Sequence, residues 1–152
     1  MCGMHTSSTR YAMAVAVIAA VTLASMGCGD ARMQNNETSA IASMRTVLSA
    51  QVTHAVSCGG AYAASLPALG ARGYLTPDFA GTAEPVKMGY RFTMTVEKGE
   101  VSNECGEPIT NFELRASPEQ PGTTGEHYYR TSGDGTIHAA TKADFSDAKP
   151  LP

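Results

Sequence analysis

The sequence predicts an α+β fold, one long N-terminal helix packed on a four-stranded antiparallel sheet, and three stretches carry that expectation. In Asn36 to Val56, the residues Ile41, Met44, Leu48, Val52 and Val56 recur at steps of three and four, the spacing of one helical stripe. In Tyr90 to Glu97, the residues Tyr90, Phe92, Met94 and Val96 alternate with Arg91, Thr93, Thr95 and Glu97, the signature of a strand with one buried face. Between two runs containing Tyr128, Tyr129 and Ile137 lies Ser132-Gly133-Asp134-Gly135, whose glycines and Asp suit a tight hairpin turn.

The chain has 152 residues, of which 16% are charged, and its net charge is −3. Such a balance offers no broad attraction to phosphate, so nucleic acid is not an expected partner. Residues 1–30 read as an export signal or membrane anchor, 31–148 as the globular domain and 149–152 as a tail. Arg10 precedes an uncharged run, Tyr11 to Gly29, that as a helix would rise roughly 28 Å, just under a bilayer's hydrocarbon thickness. Its apolar part, Tyr11 to Met26, has the length of a signal-peptide core, and Ser25-Met26-Gly27-Cys28 reads as a degenerate lipobox. Lipidation at Cys28, a retained membrane helix and simple secretion all stay open. Each places the folded part outside the cytoplasm.

The amphipathic stretch contains no Pro between Ala31 and Ser57, so one helix can continue from the apolar run, or start afresh with Asn36 as its N-cap. Gly59 and Gly60 end it. Tyr62 to Ala80 then reads as a connecting loop anchored by Leu66, Leu69, Leu75 and Phe79, with Pro67 in the first turn of a very short helix. After the first strand, Ile109 to Ala116 sets Phe112, Leu114 and Ala116 against Asn111, Glu113 and Arg115 as the second. His127 to Thr131 and Thr136 to Ala140 supply the third and fourth. Beyond Thr141 the chain is polar and reads as a loose tail.

The segments Ala31-Arg32-Met33, Asn36 to Gln51, Cys58-Gly59-Gly60-Ala61-Tyr62-Ala63, Lys87 to Thr93 and Pro121-Gly122-Thr123-Thr124-Gly125 together resemble bacterial type IV pilin-like and type II secretion pseudopilin-like proteins. The resemblance implies a long helix whose second half packs on an antiparallel sheet, with subunits meeting through the first half. It also implies partners among envelope, pilus or secretion-system proteins. Residues 1–30 depart from that pattern, because they contain neither the Gly-Phe processing pair nor the Glu that follows it in prepilins.

Chemistry is sparse. The four histidines at 5, 54, 127 and 138 lack zinc-site spacing, although His127 and His138 can face each other across the hairpin. Asp134, with Asp144 and Asp147, raises a calcium site that one turn-forming carboxylate does not satisfy. No nucleophile elbow, phosphate loop or dinucleotide fingerprint occurs. No catalytic residue, metal, cofactor or small-molecule substrate is therefore expected. Of the cysteines, Cys2 precedes the signal and Cys28 sits at the cleavage site, which leaves Cys58 and Cys105 as an exported pair. Such a pair closes into a disulfide, the alternative being two free thiols. The expected role is a non-enzymatic, envelope-anchored pilin-like structural or interaction protein; the alternative is a ligand- or ion-binding bacterial lipoprotein.

Overall fold

A computed structural model describes residues 8–100, 105–106 and 108–152, with side chains from residue 29 onward. The chain divides into two compact units, Met1–Arg32 and Met33–Pro152. The first contributes helical backbone from Ser8. Tyr11 to Met26 and Cys28 lie outside the residues whose side chains are described. Among the described residues no helix is long and apolar enough to cross a membrane.

The fold is α+β. Helix α1 spans Ser8–Ser57, followed by α2 (Leu66–Ala71) and α3 (Pro77–Ala80). Among the described residues six strands follow: β1 (Val86–Lys87), β2 (Tyr90–Lys98), β3 (Ile109–Pro118), β4 (Tyr128–Ser132), β5 (His138–Ala140) and β6 (Lys149–Pro150). They form one antiparallel sheet in chain order, so the expected count of four is corrected to six. Both additional strands are two residues long, too short for an alternation to register.

The strands expected from alternation lie where their side chains require. Tyr90 and Phe92 on β2, and Phe112, Leu114 and Ala116 on β3, are buried on one face of the sheet. Val47, Met44 and Ala40 of α1 cover them, together with Leu66, Leu69, Leu75 and Phe79 from the loop after the helix. Each large side chain so buried stabilises the fold by roughly 1.5–3 kcal/mol before entropy is counted. Ser65 caps α2 by accepting from the Ala68 amide at 3.2 Å, with Pro67 in the first turn. Thr76 stands at the N-cap of α3, with Pro77 and Asp78 in its first turn.

The buried face of α1 is not the one its aliphatic spacing marks. Asn36, Ala40, Ser43, Met44, Val47, Ala50, Gln51, His54 and, just beyond the helix, Cys58 are buried, whereas Val52 is 58% and Val56 82% exposed. The face is rotated by roughly a third of a turn from Ile41, Met44, Leu48, Val52 and Val56. Polar side chains make that rotation possible because loops meet them with hydrogen bonds. Gln51 donates to the Ala63 carbonyl at 3.2 Å and accepts from the Ala63 amide at 2.8 Å. His54 Nδ1 lies 3.0 Å from the Ala61 carbonyl. Asn36 is no N-cap: it lies within α1 and donates to the Thr124 carbonyl at 2.9 Å.

The segment after Thr141 is folded rather than loose. Phe145 is buried, with the Arg115 and Arg130 guanidinium groups 5.3 and 5.2 Å from its ring centre. β6 pairs with β5, and the Leu151 amide donates to the Ile137 carbonyl at 2.8 Å. The tail expected at 149–152 is therefore the sheet's last edge.

Candidate functional site

Two fastenings hold α1 to the sheet, one at each end of the helix's packed half. At the upstream end, Glu37 Oε1 accepts from the amides of Glu126 at 2.8 Å and His127 at 3.1 Å, and His127 Nδ1 lies 3.1 Å away. Desolvation pushes the Glu37 carboxyl up, but the Glu126 amide, the His127 side chain and the His127 amide together hold it below its ordinary value. The hydroxyl of Tyr129 also reaches Glu37, while burial drives the Tyr129 and Tyr90 hydroxyls well above the usual phenol range. Tyr90 donates to the His127 carbonyl at 2.9 Å. Gly125 passes so close to the Tyr90 ring that a Cβ there would lie 2.6 Å from Cζ, which explains a glycine at this position.

At the downstream end the helix stops where Gly60 N–H donates to the Ala55 carbonyl at 2.8 Å, with Gly59 at φ 64°. That turn delivers Cys58 to Cys105, joined at an S–S distance of 1.96 Å with Cα atoms 5.5 Å apart. His54 Nε2 lies 3.7 Å from the Cys58 sulfur. Because Nδ1 faces a carbonyl, it must carry a proton, so the ring ties the Ala61 turn to the disulfide.

Between the fastenings runs an open groove of about 420 Å³ along the outer flank of α1, lined by Arg45, Thr46, Ser49, Ala50, Thr53 and Tyr74. Val52 and Val56 are exposed on the same stretch of helix. This flank is the candidate interaction surface. Sequence reading missed it because Val52 and Val56 read as core; the polar Thr46, Ser49 and Thr53 that line the groove were the available signal.

The remaining sequence candidates do not converge. His127 faces Glu37 and not His138, whose cross-strand partner is Arg130. Asp134 accepts from Ser132 Oγ at 2.9 Å and the Thr136 amide at 3.1 Å, which closes the hairpin turn. Asp144 accepts from the Ser146 amide and Asp147 from the Thr141 amide, each within its own loop. Among the described residues no three His, Cys, Asp or Glu side chains gather as a metal site would. What the fastenings do chemically is clamp a helix. No protein-family model matches this sequence, and comparison with curated proteins and with solved structures likewise returns no match.

Proposed function

We propose that this chain is a non-enzymatic, pilin-like structural or interaction protein held at a bacterial envelope, in the manner of a minor pilin or pseudopilin-type accessory subunit. The observation that carries the reading is the double character of α1. One element, Ser8–Ser57, includes the uncharged run Tyr11 to Gly29 and ends with Ala40, Met44, Val47 and Ala50 buried in the core. A helix so divided suits attachment at one end and display of a sheet domain at the other. The clamps at Glu37 and at Cys58 support the same reading, because they fix a helix against its sheet without the two pairing as strands.

Under this proposal the partners are other envelope, pilus or secretion-system proteins, and the membrane is reached through the N-terminal segment or a lipid on Cys28. Mass spectrometry of the mature N-terminus, taken from membranes of the native host, tests it. A diacylglyceryl-modified peptide starting at Cys28, or an intact apolar segment, is the expected result. Recovery of the chain only from the cytosolic fraction overturns it. The lack of a Gly-Phe pair and of any Glu in residues 1–30 further implies that the chain is not itself the repeating subunit of a filament. Finding it as the main component of purified pili would refute that part.

A further inference from the structure

The two sulfurs of the Cys58–Cys105 disulfide are not equivalent. Cys58 is 1% exposed, whereas Cys105 is partly open to solvent. An incoming thiolate therefore meets the Cys105 sulfur, and Cys58 is the sulfur left behind. Beside it stands a buried imidazole. His54, one helical turn before Cys58, sets Nε2 3.7 Å from that sulfur, while its Nδ1 is held by the Ala61 carbonyl at 3.0 Å. The titratable side chains that face the ring are Cys58 and, edge-on at 6.4 Å between ring centres, Tyr74. A disulfide sulfur is a weak acceptor, so the closed bond gives Nε2 little. Reduced Cys58 gives it more, since a thiol donates to a bare Nε2 and a thiolate accepts from a protonated one.

We infer that this disulfide is exchangeable in the folded chain, opened by a dithiol that attacks Cys105, with His54 carrying the proton of Cys58. In the opening step a thiolate of the dithiol bonds to the Cys105 sulfur, the Cys58–Cys105 bond breaks and its electron pair passes to Cys58. His54 in its imidazolium form gives its Nε2 proton to that sulfur. The second thiolate of the dithiol then attacks the dithiol's own bound sulfur and releases Cys105, which takes a proton from water. The dithiol is oxidised to a disulfide and the chain is reduced to two thiols. On closure the neutral Nε2 takes the Cys58 proton back. The opening is local, because Gln51 keeps both hydrogen bonds to Ala63 and Glu37 keeps those from the Glu126 and His127 amides. The helix thus stays on the sheet when its downstream fastening is released.

The test uses the oxidised full chain in detergent, with its free thiols alkylated beforehand. Brief exposure to reduced glutathione, an acid quench and peptide mapping are expected to find the mixed disulfide on Cys105 and the thiol on Cys58. With dithiothreitol, the reduction rate should rise in proportion to concentration and exceed the rate of global unfolding. His54→Asn keeps a donor for the Ala61 carbonyl and lacks the second nitrogen. Its reduction rate per thiolate is expected to fall by about tenfold at the acid end of a pH series, and to lose the rise toward acid that the wild type shows. A mixed disulfide on Cys58, a reduction rate that saturates at the unfolding rate, or a His54→Asn rate equal to the wild type at every pH overturns the proposal. If His54→Asn does not fold, the glutathione mapping and the dithiothreitol dependence of the wild type decide it.

Discussion

Glu37 and His127, separated by 90 residues in sequence, meet at 3.1 Å through Oε1 and Nδ1. The contact makes a helix and the approach to β4 depend on one carboxylate. Its folded pKa lies below the ordinary 4.5, so the unfolded chain binds more protons in the window beneath that value. The stability it contributes is therefore complete above about pH 4.5 and lost as pH falls through the depressed value. Glu37→Gln should cost about 1–2 kcal/mol at pH 7, the scale of hydrogen bonds to a charged group. Urea midpoints measured from pH 7 to pH 3 check this: the gap between wild type and variant should narrow toward acid. A gap that stays constant or widens rejects it.

Cys58 and Cys105 close a loop with a sequence separation of 47. In the chain-entropy account such a closure stabilises the fold by roughly 3–4 kcal/mol. Cys105→Ser should lower the melting temperature accordingly, and thiol counting on the denatured, unreduced wild type should find neither Cys58 nor Cys105 free. Titration of both as thiols would contradict the bond.

The rotated helix face predicts a sharp asymmetry between two residues of α1 that sequence periodicity treats alike. Met44 is fully buried and Val56 is 82% exposed. Met44→Ala should cost about 2–5 kcal/mol, while Val56→Ser should stay within about 0.5 kcal/mol. Equal losses in chemical denaturation would place Val56 in the core.

Thr131 is 2% exposed on β4, and among the described residues its hydroxyl oxygen has no hydrogen-bond partner. Thr131→Val keeps the side-chain shape and removes an unmet polar group, so it should stabilise the domain by about 1 kcal/mol. A destabilised variant would reveal a partner for that hydroxyl.

Legibility followed the length over which a pattern repeats. β2 and β3 run for nine and ten residues, long enough for alternation to identify both the strand and its buried face. The tight turn at Ser132 to Gly135 was equally plain, because Asp134 and the glycines act locally. The face of α1 was not, since Asn36, Gln51 and His54 look like solvent residues until Thr124, Ala63 and Ala61 arrive from elsewhere in the chain. Phe145 was hidden for a related reason: one aromatic in a polar stretch signals little without Arg115 and Arg130 beside it. The cysteine pair was legible by elimination, whereas Glu37 and His127 carry no local mark of their meeting.

The strand order β1 to β6, which follows the chain without a crossover, has a kinetic consequence. Every strand finds its neighbour by closing a loop to the one just before it, so the sheet can grow hairpin by hairpin with small entropic barriers. The downstream end of α1 meets Ala61 and Ala63 close by in sequence, but the upstream part of its packed half has no such nearby partner: Ala40 and Met44 must wait for β2 and β3, and Glu37 for the approach to β4. Docking of the helix should thus be the late step in refolding, with mutations at Met44 and Glu37 acting mainly on the unfolding rate and mutations at Leu114 on the folding rate.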